Sequence, residues 1–281
     1  ADVRDETAMS AFLANVDEID EGVHSLISNA GIGGPAGGIE KLTYEDWRAC
    51  ISVNLDGAFL SCRWAAKRMK APKSGLILLV SSTSALFGLP YRSPYVSAKW
   101  VLIGPTKTLA IELGSVNVRG NAICPCAVEG ERMERVLSIE SEATGFPIFN
   151  IREQYTYGES LRRFIPPQDT ANMAIYFASE AGSNISGQAI SVDRITERMV
   201  WDRFAIWGKN MSKTAAIIGG GVIGGGWLAR FLLNGWDINV FDPDPEAERK
   251  ISEVLKNARH ALPMLYDQPL PPEGKIKFCT T

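Results

Sequence analysis

The chain has 281 residues, of which 46% are hydrophobic and 22% charged, enough for one large or two modest globular domains. A formal net charge of -3 and the lack of any Lys/Arg block argue against a nucleic-acid or anionic-membrane partner. No apolar run reaches the ~20 residues that span a bilayer, no secretory signal opens the chain, and the five cysteines show neither a disulfide nor a zinc spacing. These features predict a reduced, cytoplasmic protein without a metal.

The first part of the chain alternates helix and strand patterns. A helix is predicted around Ala8–Val16, a strand over Val23–Ser28, and a second helix from Thr43, which an acidic residue three positions later caps reciprocally. The apolar run Gly75–Val80 is typical of a buried parallel strand, and Ser82 follows directly after it. Because ligands bind at the carboxyl ends of strands in open α/β sheets, Ser82 is a candidate site residue.

The next helix is predicted to begin near Tyr95 and to run to about Leu113. Tyr95 and Lys99 lie four residues apart, so they share one helical face, where the ammonium can favour the phenolate. A hydroxyl such as Ser82 can hold a substrate oxygen from the other side. Pro105 interrupts this helix and is expected to cost ~3 kcal/mol unless a kink accommodates it.

The chain then continues with a strand over Val116–Ile123 and an irregular, charged segment from Glu129 to about Pro167. That segment has two readings, a mobile lid over substrate or a solvated pair of surface helices. A helix over Asp169–Ala178 and a strand over Gln188–Asp193 complete this portion.

After Asp193 the pattern changes, and residues 194–213 are interpreted as a junction without clear periodicity. A strand over 214–218 then leads into Gly219, Gly221 and Gly224, which satisfy G-x-G-x-x-G. A second strand ends in Asp242, about 20 residues beyond Gly221, as in a dinucleotide-binding fingerprint. The alternative is a glycine-rich turn followed by an incidental acid.

Residues 1–193 resemble the short-chain dehydrogenase/reductase family. The resemblance rests on ordered motifs: Ser28-Asn29-Ala30-Gly31 after a strand, Asn54 in a helix, Ser82, Tyr95 with Lys99, and Asn121-Ala122-Ile123-Cys124-Pro125. It implies an α/β fold with a doubly wound, mostly parallel, Rossmann-like sheet. It also implies a glycine-rich phosphate loop before residue 1, so that this domain is expected to be incomplete at its N-terminus.

The resemblance also implies the chemistry of the site. Tyr95 would be the acid/base, Lys99 would favour its deprotonated form and bind the nicotinamide ribose, Ser82 would hold the reacting oxygen, and Asn54 would support a water relay to Lys99. Further cofactor contacts would come from Asp2, Val3, Asn29, Ala30, Gly31, Pro125 and Val128. Each has an ordinary structural alternative: Asn54 as a buried amide bonded to backbone, Ser82 as a turn residue, and Lys99 as a surface lysine.

Residues 211–281 resemble a different family, the NAD-binding domain of 3-hydroxyacyl-CoA dehydrogenase-type proteins, and within it the carnitine dehydrogenases. The resemblance implies that NAD would contact Gly219, Gly221, Val222, Ile223, Gly224 and Asp242. Asp244 is predicted to cap the next helix, with Pro245 in its first turn, and a strand is predicted over Lys275–Phe278.

The sequence therefore predicts three segments: an incomplete dehydrogenase domain over 1–193, a junction over 194–213 and a truncated Rossmann βαβ unit over 214–281. The predicted function is NAD-dependent oxidoreduction, with NADP open for the first domain, of a secondary alcohol or ketone in a small polar substrate. Homo-oligomerisation through the catalytic-domain helices is expected. The alternatives are a catalytically silent NAD-binding fragment, a fusion of two adjacent reading frames, and a cofactor site of the first domain completed by the C-terminal glycine loop.

Overall fold

The chain divides into two compact units, Ala1–Trp201 and Asp202–Thr281. The fold is seen in a computed structural model, which describes residues 1–19, 22–157, 161–192, 213–265 and 269–279. Apart from Lys213, the predicted junction over 194–213 lies outside the described residues. Each unit is therefore described by itself.

The first unit is built on a parallel sheet of four strands in the order β1-β2-β3-β4. The strands are β1 (Ser25–Ser28), β2 (Gly75–Val80), β3 (Val118–Pro125) and β4 (Ala189–Val192). The predicted bounds of β2 agree with the structure residue for residue. Since all four strands run in one direction, their carboxyl ends lie along a single edge of the sheet.

Eight α-helices accompany this sheet in the described residues. They are α1 (Glu6–Ile19), α2 (Tyr44–Ile51), α3 (Gly57–Lys70), α4 (Ser93–Val101), α5 (Ile103–Gly114), α6 (Glu131–Thr144), α7 (Ile148–Tyr157) and α8 (Pro167–Ala178). The segment between β3 and α8, for which a mobile lid or a pair of surface helices was predicted, contains two helices. Among the described residues, no helix is long and apolar enough to cross a membrane.

Helices cover both faces of the sheet. Ile77 and Leu79 of β2 join a core cluster with α3 and α5, whereas Leu76 and Leu78 join a second cluster with Phe177 of α8. Successive strand residues point to opposite faces, so an unbroken apolar run is what a strand covered on both sides requires. Each of these side chains contributes on the order of 1.5–3 kcal/mol by burial. The chain has the predicted α/β, Rossmann-like fold.

The helices that carry the predicted site residues begin and end for local reasons. Thr43 and Asp46 form the predicted capping box at the start of α2. The predicted helix from Tyr95 to Leu113 is broken at Leu102, so Pro105 lies in the first turn of α5 rather than in a helix interior. A proline nitrogen needs no intrahelical partner in a first turn, which explains how the chain accommodates it.

The second unit has a parallel sheet of three strands in the order β5-β6-β7. Its elements are β5 (Thr214–Ile218), α9 (Val222–Leu233), β6 (Asp237–Phe241), α10 (Ala247–Ala261) and β7 (Ile276–Phe278). The predicted cap of α10 is wrong, because Glu246 precedes the helix. Asp244 instead accepts a hydrogen bond from the Glu246 amide at 2.9 Å, which closes a turn before the helix begins.

Candidate active site

A cavity of about 850 Å³ lies at the carboxyl edge of the sheet in the first unit. Six of the predicted site residues line it: Asn29, Ser82, Tyr95, Lys99, Pro125 and Val128. Three strand ends and one helix deliver these residues: Asn29 follows β1, Ser82 follows β2, Pro125 ends β3, and Tyr95 and Lys99 lie on α4. The parallel sheet thus brings together side chains that are nearly 100 residues apart in the sequence.

Tyr95 and Lys99 lie on one face of α4, as their spacing predicts. The Lys99 Nζ lies 5.8 Å from the centre of the Tyr95 ring, and it donates a hydrogen bond to the Val80 carbonyl at 2.8 Å. Only 3% of Lys99 is exposed, so the surface-lysine alternative is wrong. Burial, with a further contribution from the positive charge of Arg132, lowers the pKa of Lys99 to about 8.

The two serines at the end of β2 make different contacts. Ser81 is buried and donates a hydrogen bond from its hydroxyl to the Lys99 carbonyl at 2.8 Å, which ties β2 to α4. Ser82 lines the cavity and accepts a hydrogen bond from the Ser84 amide at 3.2 Å. Because this contact uses the oxygen as acceptor, the hydroxyl proton of Ser82 stays available for a ligand.

Asn54 lies in a π-helical turn, Ser52–Asp56, between α2 and α3. Its Nδ2 donates to the carbonyls of Ile32 and Cys50 at 3.0 and 2.9 Å, as the buried-amide alternative predicts. The Oδ1 atom is buried and has no hydrogen-bond partner among the described residues. An unsatisfied buried acceptor is uncommon, and π-turns often occur at functional sites.

Gly31 separates Asn54 from Lys99. A Cβ placed on Gly31 would lie 2.5 Å from the Asn54 Oδ1 and 3.4 Å from the Lys99 Nζ. Only glycine permits this close approach of the β1 loop to both side chains. The unpartnered oxygen and the buried ammonium therefore flank the same backbone segment.

Other predicted cofactor residues lie elsewhere. Asp2 is exposed and forms an ion pair with Arg4 at 2.6 Å, and the hydrogen bonds from Arg4 lower the pKa of Asp2 to about 2. Val3 lies in a turn and packs against Gly57 of α3. Neither residue lines the cavity. Ala30 lies between Asn29 and Gly31, in the loop after β1.

A buried network beside Tyr95 was not predicted from the sequence. Arg92 is 3% exposed, and its guanidinium carbon lies 5.5 Å from the centre of the Tyr95 ring. It donates to the Glu140 carboxylate at 3.2 Å and to the Gly33 carbonyl at 2.9 Å, while the Tyr155 hydroxyl donates to Glu140 at 2.6 Å. Burial raises the pKa of both Glu140 and Tyr155. The network joins α4 to α6 and α7.

The helix pair α6–α7 is more than a solvated surface. Met133, Leu137, Ile151 and Phe164 form a buried cluster between these helices and the following loop. Met133 and Tyr155 also line the cavity. The pair therefore forms one wall of the cavity. The sequence signal for this wall was the apolar spacing of Met133 and Leu137, which the surrounding charges obscured.

The predicted glycine loop of the second unit joins β5 to α9. Gly219 has a φ of +93°, and Gly221 precedes α9 with open space where its Cβ would lie. A Cβ on Gly224 would overlap the Gly219 carbonyl oxygen, so only glycine allows this close packing. Val222 and Ile223 are the first residues of α9, and the Ile223 side chain is exposed.

Asp242 follows β6, as predicted, and closes the loop from the other side. Its carboxylate accepts hydrogen bonds from the Gly220 amide and, at 2.8 Å, from the Asp244 amide. A carboxylate has about four lone-pair sites, so acceptor capacity remains for a ligand hydroxyl. The loop thus has the geometry of a dinucleotide fingerprint: space at the second glycine and close packing at the third.

Comparisons with known proteins give one long match and several short ones. The profile of the family described as Enoyl-(Acyl carrier protein) reductase matches residues 1–194. D-beta-hydroxybutyrate dehydrogenase of Rhizobium meliloti is 30% identical over 194 residues, which is 69% of this chain and 75% of that protein. A solved variant of actinorhodin polyketide ketoreductase with NADPH is 28% identical, covers 69% of this chain and 75% of its own, and has a TM-score of 0.65.

Other relatives match a shorter stretch of the chain. L-carnitine dehydrogenase/betainyl-CoA thioesterase of Ruegeria pomeroyi is 82% identical over 65 residues, or 23% of this chain. The match spans only 13% of that relative's length. The longer match decides the family, since it covers more than two thirds of both proteins. The chain therefore belongs to the short-chain dehydrogenase/reductase family, a family of oxidoreductases.

Proposed function

We propose that the first unit is an NAD(P)-dependent oxidoreductase that interconverts a secondary alcohol and a ketone, with Tyr95 as the acid/base. The observation that carries this proposal is the convergence of Ser82, Tyr95 and Lys99 on one cavity, with Lys99 buried against the tyrosine ring. Burying a lysine is costly, and perturbed ionisable groups in a cavity are typical of catalytic sites.

The residues present fit the nicotinamide end of such a cofactor. Lys99 and Asn29 offer donors for the ribose, and Pro125 and Val128 offer an apolar surface in the lining of the same cavity. The unsatisfied Oδ1 of Asn54, beside the closely packed Gly31, is an acceptor that a bound water would satisfy. When bound, the nicotinamide ring supplies the position that accepts or donates the hydride.

Four side chains orient the substrate and transfer the proton. Ser82 donates its hydroxyl proton to the reacting oxygen and orients it towards Tyr95. The Tyr95 Oη gives its proton to that oxygen in reduction and takes it back in oxidation. Lys99 stabilises the phenolate by its charge, and Asn54 supports a water that renews the proton.

The second unit supports a different candidate function, that of an NAD-binding module without chemistry of its own. The specific observation is the loop at Gly219, Gly221 and Gly224, together with Asp242 at the end of β6. The similarity of 65 residues to L-carnitine dehydrogenase/betainyl-CoA thioesterase supports a dehydrogenase origin for part of this chain. We propose domain limits of 1–193 and 214–281 for the two functions.

Titration of the purified chain with NAD+, NADH and NADPH, followed by fluorescence, tests both functions. Turnover is then measured with NAD+ or NADP+ on a panel of secondary alcohols. We expect dinucleotide binding, turnover of at least one hydroxy compound, and loss of turnover with retained binding in Tyr95→Phe. Tyr44→Phe, at a strongly exposed tyrosine, is the matched control and keeps turnover. Binding without turnover, equal in both variants, would leave only the module.

A further inference from the structure

The wall formed by α6 and α7 meets the start of α4 at a buried carboxylate. Glu140 of α6 accepts a hydrogen bond from the Arg92 guanidinium at 3.2 Å and one from the Tyr155 hydroxyl of α7 at 2.6 Å. The Arg92 and Glu140 side chains are 3% and 12% exposed. Because Arg92 is the N-cap residue of α4 and both bonds reach Oε1, three helices converge on one atom.

The ion pair compensates this buried charge only in part. A favourable arginine–carboxylate pair has two parallel bonds of about 2.7–2.9 Å. The Nη1 atom of Arg92 instead lies 3.2 Å from Glu140, and Nη2 donates to the Gly33 carbonyl at 2.9 Å. Taking a carboxylate out of water costs free energy that only good geometry recovers. The closed wall therefore holds the ionised Glu140 at a cost.

The wall has a core of its own, so it can separate from α4 without unfolding. The members of this core are Met133, Leu137, Ile151 and Phe164. Arg152 of α7 also pairs with Glu134 of α6, which ties the two helices together. Because Met133, Val136 and Tyr155 line the cavity, a displacement of the wall widens it.

We propose that protonation of Glu140 favours closure of the α6–α7 wall over the cavity and that its ionisation favours opening, so that access to the cavity depends on pH. The inference goes beyond the proposed function, because it concerns the wall and not the reaction. Glu140 itself does not line the cavity and acts through the position of the two helices.

The direction of the pH dependence follows from the burial of Glu140. Burial raises the pKa of this carboxyl, against the opposing effects of the hydrogen bonds from Tyr155 and Arg92. In an open wall the carboxyl lies in water and keeps its ordinary pKa. The closed wall thus binds the proton more tightly, so closure is strongest in acid and weakens as the pH rises through the raised pKa.

The groups around Glu140 leave this direction unchanged. Among the described residues, Arg92 faces the carboxylate from the start of α4, Tyr155 faces it from α7, and Tyr95 lies beyond Tyr155. An arginine keeps its charge in proteins, and burial raises the pKa of Tyr155. Neither of these two neighbours therefore changes its charge in weakly acidic solution.

Hydrogen exchange of α6 and α7 peptides tests the proposal on the full chain. Rates corrected for intrinsic exchange are compared between wild type and Glu140→Gln from about pH 4.5 to about pH 8. Glutamine is neutral, and its oxygen can still accept both hydrogen bonds. We expect the two proteins to exchange alike at the acidic end and wild type to exchange roughly 5-fold faster or more at the upper end. The histidines, His24 and His260, precede β1 and lie in α10, so they do not titrate within the wall.

Two further variants assign the effect to Glu140. Glu134→Gln neutralises a largely exposed carboxylate of the same wall and should keep the wild-type pH dependence. Tyr155→Phe removes a hydrogen bond that lowers the pKa of Glu140, so the transition should move to higher pH. This second variant keeps the test decisive if Glu140→Gln does not fold.

Three results would overturn the proposal. Faster exchange in Glu140→Gln than in wild type at the upper pH would show that the attraction between Arg92 and Glu140 holds the wall closed. Equal exchange at every pH, or a transition that Tyr155→Phe does not move upwards, would remove the dependence on Glu140. Exchange of α6 and α7 at the rate of β2 and β3 would show that the whole unit unfolds instead.

Discussion

The two units share the strand–helix–strand geometry, but their strands differ in how fully they are buried. In the first unit every residue from Gly75 to Leu79 of β2 is buried, whereas in β5 and β6 exposed positions alternate with covered ones. The first unit also buries ionisable side chains such as Lys99 and Arg92, while the ion pairs of the second unit are largely exposed. Burial is what lowers the pKa of Lys99, so among the described residues the first unit offers the environment that the proposed acid/base chemistry needs.

The largest effect should come from breaking the buried ion pair of the first unit. In Arg92→Met the Glu140 carboxylate loses its cation while it is still buried, so we expect unit 1 to lose about 3–5 kcal/mol of its free energy of unfolding. Urea-dependent hydrogen exchange of β2 and β3 peptides measures this loss for unit 1 alone. A loss below 1 kcal/mol would show that the Glu140 carboxylate becomes solvent-exposed in the variant.

Lys99 should make the stability of the first unit depend on pH. Its pKa is about 8 in the folded chain and 10.5 in the reference state, so the unfolded chain binds more protons between these values. Stability from this group therefore rises with pH, by about 3 kcal/mol from pH 8 to pH 10.5, and does not change below pH 8.

The comparison of wild type with Lys99→Met isolates this contribution from other titrating groups. The free energy of unfolding of wild type should rise relative to that of Lys99→Met across the stated window, as measured by urea unfolding at several pH values. A difference that is constant from pH 7 to pH 10.5 would contradict the burial of the ammonium.

In the second unit the strongest constraint is steric rather than electrostatic. Gly224→Ala places a methyl group against the Gly219 carbonyl oxygen, so the loop or α9 must shift. We expect a loss of about 1–3 kcal/mol from unit 2, measured by hydrogen exchange of β5 and β6 peptides. Gly226→Ala, where the methyl group meets open space, is the matched control and should not destabilise the unit.

The smallest effect should come from the exposed ion pairs of the second unit. Arg249 bonds Glu246 and Glu253 at 2.7 Å, with all three side chains more than half exposed. Removal of this charge in Arg249→Met should leave the stability of unit 2 nearly unchanged, and the change should be smaller still in high salt. A loss of unfolding free energy as large as that of Arg92→Met would contradict the difference in ion-pair burial between the two units.

Local sequence patterns predicted the elements well where the cause was local. The apolar run of β2, the capping box at Thr43 and the glycine loop at Gly219 all depend on residues within a few positions of one another. Pro105 indicated that the predicted helix would be strained, but it did not show that the helix would break at Leu102. Sequence patterns of this kind locate elements more reliably than their boundaries.

The rest of the site depends on contacts that no local pattern encodes. Arg92 meets Glu140 across 48 residues, and no spacing in the sequence links the two. Their pairing becomes visible only once α6 is packed beside α4. The ordered family motifs were what identified Asn54, Ser82, Tyr95 and Lys99 together, and the roles assigned to them stay predictions.

The π-helical turn at Ser52–Asp56 makes α2 and α3 sensitive to deletion in a way that ordinary surface helices are not. A π-turn holds one residue more than the α-helical path requires, and each residue rotates an α-helix by about 100°. Removing a single residue there would restore a regular helix, yet it would swing Asn54 away from Gly31 or turn the buried face of α3 out of the core. This segment should therefore keep its length even where its sequence varies.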